Sequence, residues 1–358
     1  MNEDCLKITT YFGERKRVGR QLVADALLDL YERHDIAASI LLRGVEGFGL
    51  KHNLRTDTSL TLSEDLPAAA IAVDTRERIE AIRDEVALAS GSGLVTLERA
   101  RLQTGILTPM ALPEELHEAT KLTVYLGRQE RIYRMPAYAA VCDLLYRRGI
   151  AGASVLLGVD GTAYGQRERA QFVGRNAEVP VMVIAVGDGE TIGRVLPELG
   201  GLLDRPLTTL ERVRICKRDG ELIETPHRLP GTDELGMQLW QKLMIHTFES
   251  QLHRGQPINR AITRRLRSAG SSGATTFRCI WGFHGNHEPH GDRPFQLGRQ
   301  VPTVTVVIDT PERISAAFSV IDELTEEHGL VTSEMVPAMY TTVGEQSRGS
   351  LRLARHHF

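Results

Sequence analysis

Three short glycine-rich segments carry residue types suited to binding a small anion. They read Arg43-Gly44-Val45-Glu46-Gly47, Leu157-Gly158-Val159-Asp160-Gly161 and Trp281-Gly282-Phe283-His284-Gly285. Glycine permits positive φ and a close approach of the backbone, so successive N–H groups can hold an anion. The same pattern also suits a tight bend or bulge with no ligand. With both interpretations open, the candidate ligand contacts are Gly44, Gly47, Gly49, Gly158, Gly161, Gly282 and Gly285.

A histidine-rich segment overlaps the third glycine cluster. It places His284, His287 and His290 within seven residues, next to Glu288 and Asp292. Neutral imidazole and carboxylate are ligands for Zn²⁺ and similar divalent ions. The spacing matches no recognised zinc motif, however, and the segment maps to a long loop. The three histidines are therefore candidate metal ligands, although the pattern favours a polar surface loop.

The glycine clusters belong to a unit that occurs three times. Two further markers recur at nearly the same distance from one copy to the next. One is a proline followed ten residues later by a glutamate, at Pro67, Pro180 and Pro302. The other is the segment 94–98, repeated at 207–211 and 330–334. Agreement of three independent markers indicates one unit used three times. We place the copies at 5–103, 119–217 and 239–340, followed by a mobile tail at 341–358.

Each copy is predicted to have the order β-α-β-β-α-β. In copy one, strands are predicted near 6–13, 36–42, 67–74 and 94–102, from β-branched or apolar runs. One helix is predicted over Arg20–His34, from apolar spacing on one face. The second begins after Thr75 and ends near Gly91. This is the ferredoxin-like split arrangement, so the predicted fold class is α+β.

The composition fits a cytoplasmic globular protein. The 358 residues carry a formal net charge of −3, which argues against a nucleic-acid-binding surface. The sequence contains no apolar run near the ~20 residues that span a bilayer and no secretory signal, so we expect no membrane insertion. Four cysteines lie far apart without CxxC spacing and are expected to be reduced, buried thiols.

Copy one resembles the PII-like family called domain of unknown function 190 (UPF0166). The resemblance rests on the glycine that ends its first strand, LLRGVEGFG, a long loop, LPAAAIAVDT and GLVTLE. It is clear in copy two and strongest in the second half of copy three. It implies a PII-type fold, in which three ferredoxin-like subunits form a trimer and bind small ligands, usually adenine nucleotides, in the clefts between them. Three copies in one chain then suggest a monomeric pseudo-trimer, whose assembly is intramolecular.

The resemblance also implies a phosphate-binding turn before each last strand. Its candidate contacts are Gly91, Gly93, Leu94, Val95, Thr96, Gly329 and Thr332. Copy two has Pro206 in this turn, which removes an N–H donor, so at most two of the three clefts are expected to be competent. A plain helix-to-strand turn is the alternative. Cations that could face a phosphate are Arg43, Lys51, Arg99, Arg101, Arg212 and Arg214, although a solvated strand face explains them as well.

These observations favour a non-enzymatic sensor. It would bind a small anion, with an adenine nucleotide as the leading candidate, between copies and signal through its long loops to a protein partner such as a membrane transporter. A ligand-free interaction platform is the main alternative, and a divalent-metal-binding protein is a weaker one. The sequence shows no nucleophile elbow, metalloprotease motif or Walker motif, so we do not expect an enzyme.

Overall fold

The computed structural model describes residues 2–57, 65–105, 107, 116, 118–163, 166–169, 179–285, 287–291, 301–343 and 346–356. Within these ranges the chain forms six helices and one large sheet of antiparallel strands, with three separate two-stranded ribbons. The mixed helix and strand content agrees with the predicted fold class.

Copy one contains the predicted elements and three short additions. Its four main strands are Asn2–Gly13, Ala38–Phe48, Pro67–Thr75 and Leu94–Thr104, and its helices are α1 (Val23–Arg33) and α2 (Arg76–Ser90). Arg17–Val18 pairs with Gln21–Leu22 as a ribbon before α1, and Arg55–Thr56 pairs with the second strand. Gly91 ends α2 with φ of 57°, a conformation that glycine adopts without a steric penalty.

Copy two has its main strands at Thr120–Gly127, Gly152–Leu157, Pro180–Gly187 and Leu207–Arg212, with α3 (Ala137–Arg147) and α4 (Gly189–Leu202). Shorter strands are Arg131–Ile132, Met135–Pro136, Asp160–Ala163, Gln166–Arg169, Arg214–Arg218 and Glu221–Leu222. Between Leu207–Arg212 and Arg214–Arg218, the N–H of Val213 donates to the carbonyl of Ala119.

Copy three has its main strands at Trp240–Phe248, Ala274–Arg278, Pro302–Asp309 and Leu330–Val336, with α5 (Ile258–Ser268) and α6 (Pro311–Leu324). Shorter strands are Leu252–His253, Gln256–Pro257, Trp281–His284, His290–Gly291, Ala338–Val343 and Gln346–Ser350. Cys279 lies in the break between Ala274–Arg278 and Trp281–His284.

The four main strands have the same order in all three copies. The first strand lies between the third and fourth, and the second strand pairs with the third. All of these pairs are antiparallel. A helix follows the first strand and another follows the third, and their apolar faces pack on the sheet to form one core in each copy. The sequence order β-α-β-β-α-β is therefore present three times.

Strand pairing also joins each copy to both others. The end of the second strand of copy one (44–48) pairs with 274–277 of copy three. Asp160–Ala163 of copy two pairs with 38–41 of copy one, and Trp281–His284 of copy three with 152–155 of copy two. The fourth strands pair in a similar cycle, as 101–104 with 207–210, Arg214–Arg218 with 330–333, and 338–341 with 94–97. The three copies therefore contact one another in a closed cycle.

The tail, for which the sequence predicts mobility, contacts the rest of the protein over residues 346–356. Gln346–Ser350 forms a hairpin with Ala338–Val343, which in turn pairs with copy one. Arg99 donates to the Ala354 carbonyl, and the Arg355 N–H donates to Asp233. Ala354 is fully buried. These bonds hold the tail across the junction of copies one and three.

The four cysteines are all buried and unpaired, as the sequence suggested. Their burial raises the pKa of each thiol, which keeps the thiol protonated. Among the helices in the described ranges, none has the length and apolarity that a membrane span requires.

Candidate functional site

A ring of six buried charges lies where the three copies meet. Each copy contributes one lysine from its first strand and, directly opposite in register, one glutamate from its fourth. The pairs within copies are Lys7–Glu98 at 2.9 Å, Lys121–Glu211 at 3.1 Å and Lys242–Glu334 at 3.2 Å. The pairs between copies are Lys7–Glu211, Lys121–Glu334 and Lys242–Glu98. Every charge thus has two partners of opposite sign, one in its own copy and one in a neighbour.

The ring is an ion-pair network rather than a metal site. Carboxylate oxygens of Glu98, Glu211 and Glu334 lie within 4.8 Å of one another, which would suit a metal ion. The three ammonium groups already occupy the positions between them. Burial raises the pKa of Glu98, but the neighbouring lysines outweigh it and hold that pKa well below the usual range. The neighbouring lysines likewise outweigh burial at Glu334 and lower its pKa, so Glu98 and Glu334 stay ionised.

Sequence reasoning missed this ring, although a signal was present. The three glutamates end the repeated segments 94–98, 207–211 and 330–334, and a lysine recurs in every first strand. A charge that recurs in an otherwise apolar strand indicates a buried partner, because an unpaired charge in a core is costly. The ring, however, needs partners from different copies, which no pattern within one copy specifies.

The repeated glycines allow the copies to pack closely. Gly47, Gly161 and Gly282 are the equivalent residues, because each contacts the ring of the proline that opens its own third strand. A Cβ atom on them would lie 2.6, 2.3 and 2.3 Å from carbonyl oxygens of Ala274, Ser39 and Ala153, each in another copy. The sequence alignment in copy three is therefore wrong by three residues, and Gly285 is not the counterpart of Gly161. These glycines fit the purely structural interpretation.

A cavity lies at the junction of copies one and three. Its volume is about 690 Å³. Copy one contributes the end of its first strand, the start of its long loop and the turn before its fourth strand. Copy three contributes Trp240, the segment 272–275, the end of its third strand and the tail hairpin. Four predicted residues line this cavity, namely Gly47, Gly49, Lys51 and Leu94.

The cavity has an apolar floor and a basic rim. The floor includes Trp240, Met339 and Ile308, which are buried. The rim includes Arg15, Lys16, Lys51, Arg55 and Arg348. The Arg348 guanidinium carbon lies 4.9 Å from the centre of the Trp240 ring, within cation–π distance. Two carboxylates, Asp65 and Asp309, also line it. Five cations and two anions give this opening a net positive charge.

Lys16 is a rim cation with a lowered pKa. Its Nζ donates to the Ser92 hydroxyl at 2.5 Å. Partial burial is the main cause that lowers its pKa to about 8, and Arg55 and Lys51 lower it further, against the opposing effect of Asp65. An anion bound in the cavity would raise the pKa of Lys16 again and keep its ammonium group charged. Lys16, Arg348 and Trp240 were not singled out by the sequence, because their proximity depends on the junction between copies.

The remaining predicted residues of copy one lie elsewhere or have structural partners. Arg43 pairs with Glu14 at 2.6 Å. Gly91 uses its carbonyl to accept from Thr342, and Gly93 packs against the Tyr11 carbonyl. The other predicted residues are in strands or beside them, where Val95 and Thr96 are fully buried, Arg101 faces Leu210, and Gly44 packs under Pro67.

In the other copies, the predicted contacts are also held by protein groups. Gly158 donates its N–H to Pro180, Arg214 pairs with Glu118 and Glu224, and Thr332 is buried between two strands. Gly329, at φ of 109°, lies over the His246 carbonyl. The expectation that at most two clefts are competent stays a prediction.

The junction of copies two and three is occupied by histidines. His284 is on a strand and buried, not on a surface loop as the sequence suggested. It stacks on Phe248 with ring centres 4.2 Å apart, and His290 also stacks on Phe248, at 4.8 Å. Within the described ranges, His284, His287 and His290 do not bring three ligand atoms together. The three histidines surround the ring of Phe248 and do not converge on a point where one ion could bind.

Comparison with known proteins identifies the family to which these repeats belong. The model of the DUF190 family, described as uncharacterized ACR, matches residues 5–102, 119–215 and 240–338. A UPF0166 protein of Aquifex aeolicus (strain VF5) is 33% identical over 99 residues, which are 27% of this chain and 91% of the relative. A crystal structure of an unknown protein from Galdieria sulphuraria covers 63% of this chain and 99% of its own, at 13% identity and a TM-score of 0.17, too low to inform the fold. The chain therefore belongs to the DUF190 (UPF0166) family and carries three tandem copies of its domain.

Proposed function

We propose that this protein is a non-enzymatic PII-like sensor that binds a small anion, best represented by an adenine nucleotide, between copies one and three. The cavity of about 690 Å³ at that junction carries the proposal. Ligand sites are commonly concave and apolar, with a few convergent polar groups. An apolar floor with Trp240 suits a flat heterocycle, and the cationic rim suits a phosphate.

The proposal includes a PII-like assembly within one chain. Each copy would be a ferredoxin-like unit, and the three would form a pseudo-trimer. The shared strand order, the closed cycle of pairing between copies and the six-charge ring support this arrangement. Because the copies differ in sequence, the three junctions can differ as well, which an identical homotrimer does not allow.

The ligand would act through the long loop of copy one. The cavity is lined at the base of this loop by Gly49, Leu50, Lys51, Asn53 and Arg55. Arg55 pairs with Asp65, at the other end of the loop, at 2.8 Å. A ligand phosphate that competed with Asp65 for Arg55 would loosen this pair and change the loop. We propose that a protein partner in the cytoplasm, for example a membrane transporter, reads that change. A ligand shifts the loop only as far as its affinity differs between the two loop states.

The test is a thermal-shift and calorimetric titration of the full chain with AMP, ADP, ATP and cyclic AMP. We expect saturable binding of at least one nucleotide. Lys51→Gln, on the exposed rim, is expected to weaken it, whereas Arg134→Gln, an exposed cation on copy two, is the matched control and should not. Binding unaffected by Lys51→Gln, or a flat response to all four nucleotides, would contradict the proposal. The flat response would favour the ligand-free platform.

A further inference from the structure

We infer that the junction of copies two and three contains a binding site for a divalent transition-metal ion. Its ligands are His284 and His287 from copy three and Asp219 from the turn that directly follows copy two. This set differs from the trio indicated by the sequence, since Asp219 enters and His290 leaves. The site is separate from the cavity between copies one and three, so it does not depend on nucleotide binding.

The geometry of two of the ligands is already close to that of a metal site. Nδ1 of His284 lies 3.9 Å from a carboxylate oxygen of Asp219, too far for a hydrogen bond. Two ligands of a tetrahedral zinc ion lie roughly 3.3 Å apart, given metal–ligand distances near 2.0 Å. A small approach of the carboxylate would therefore let both atoms bind one ion.

The second observation is an unsatisfied imidazole. His284 is only 2% exposed, and neither of its ring nitrogens has a hydrogen-bond partner. Buried polar atoms nearly always have a partner, so an unpaired buried imidazole requires an explanation. Stacking on Phe248 fixes the ring plane. A metal ion at Nδ1 would use the free lone pair of that nitrogen, which the surrounding protein leaves unused.

The backbone turn that contains Asp219 fixes the position of its carboxylate. Asp219 and Gly220 form the two-residue turn between Arg214–Arg218 and Glu221–Leu222, with φ of 52° and 85°. This is the Asp-Gly turn that hairpins favour. The Asp219 carboxylate lies against Gly285, where a Cβ atom would be 1.7 Å from Oδ1. The absence of a side chain at Gly285 therefore makes room for the carboxylate beside His284.

His287 would complete the set after its ring turns, because in the structure the ligand atoms of His284, His287 and Asp219 do not all lie within 4.8 Å of one another. Its ring centre lies 5.9 Å from that of His284, with the planes at 79°. Two imidazoles on one tetrahedral ion have ring centres roughly 5 Å apart, from the Zn–N distance and the ring size. His287 is exposed, so its ring can turn toward the ion. Two imidazoles and a carboxylate suit Zn²⁺ or a similar first-row ion, with the fourth position left to water.

The test is calorimetric titration of tag-free, chelator-treated protein with Zn²⁺, together with the visible spectrum of the Co²⁺ form. We expect one high-affinity ion per chain and ligand-field bands of four-coordinate Co²⁺. Asp219→Asn retains the turn, since Asn-Gly is equally favoured there, and removes the charged ligand. His284→Phe retains an aromatic ring on Phe248. Each is expected to lower affinity more than about a hundredfold, because second-shell changes typically cost about 10–100-fold.

His290→Asn is the matched control within the same segment. Its Nδ1 bonds to the Glu288 carbonyl at 2.7 Å, and it is not a ligand in this set, so Zn²⁺ affinity should stay unchanged. Circular dichroism and the melting temperature without metal establish that each variant is folded. Absence of Zn²⁺ binding, or binding that survives Asp219→Asn but is lost in His290→Asn, would overturn the inference.

Discussion

The Nζ atom of Lys121 lies 3.1 Å from Glu211 in a part of the protein where both side chains are only 2% exposed. The two residues face each other across neighbouring strands of copy two. Lys121 also pairs with Glu334 of copy three, and Glu211 with Lys7 of copy one. One cross-strand pair therefore connects all three copies, and its loss should affect the whole assembly.

Lys121→Met is the first test of the ring. It leaves two buried carboxylates each with one partner fewer, and breaking a buried pair from one side typically costs about 3–5 kcal/mol. We expect a loss of this size in the free energy of unfolding, measured by urea denaturation. Adding Glu334→Gln to Lys121→Met should recover part of the loss, because one uncompensated charge is removed. A single-variant loss below about 1 kcal/mol would contradict a structural role for the ring.

Gly47→Ala tests the close contact between copies one and three. A Cβ atom would lie 2.6 Å from the Ala274 carbonyl, so the strands must separate, and overpacking of this kind costs about 1–3 kcal/mol. We expect a lower melting temperature. Gly201→Ala is the control, because it lies in α4 with no atom within 4 Å of an added Cβ and should be neutral or stabilising. Equal effects of the two variants would contradict the packing argument.

Glu46 should make stability depend on pH between its unfolded and folded pKa values. Burial is the main cause that raises its pKa to about 7, against Arg260 and Arg264, which lower it. Between pH 4.5 and 7 the folded state holds the proton more tightly than the unfolded state. The contribution of Glu46 to the free energy of unfolding is therefore fully present below pH 4.5. It falls by about 3 kcal/mol as the pH rises through 7. Urea denaturation at several pH values should show this slope in the native chain and a smaller one in Glu46→Gln.

Lys16 should make anion binding depend on pH. Because its pKa is about 8 in the free protein, it is charged below that pH and largely neutral above it. Nucleotide affinity should then fall as the pH rises from 7 to 9, and binding near pH 8 should take up protons. Calorimetry in buffers of different ionisation enthalpy measures that uptake. Lys16→Arg stays charged throughout and is expected to remove the dependence; a dependence that persists in this variant would exclude Lys16 as its source.

Sequence patterns predicted the repeat, the element order and the approximate helix and strand boundaries. These features are local, since the apolar spacing of Leu27 or the glycine at Gly91 decides them within a few residues. The junctions could not be predicted in the same way. Arg348 and Trp240 are more than one hundred residues apart, and they meet where the tail folds back as a hairpin on Ala338–Val343. The register of Gly282 was missed because Cys279 stands where the other copies have their first glycine, while Gly282 and Gly285 repeat the same spacing three residues later.

The cycle of pairing has a consequence for chain order. Arg99 bonds to the Ala354 carbonyl near one described end, and its strand partner Leu6 lies near the other. The two ends are therefore neighbours. A circularly permuted gene that began at copy two and finished with copy one, fused through a short spacer, should encode the same folded object. Which copy the ribosome makes first would then matter to the path of folding but not to its outcome.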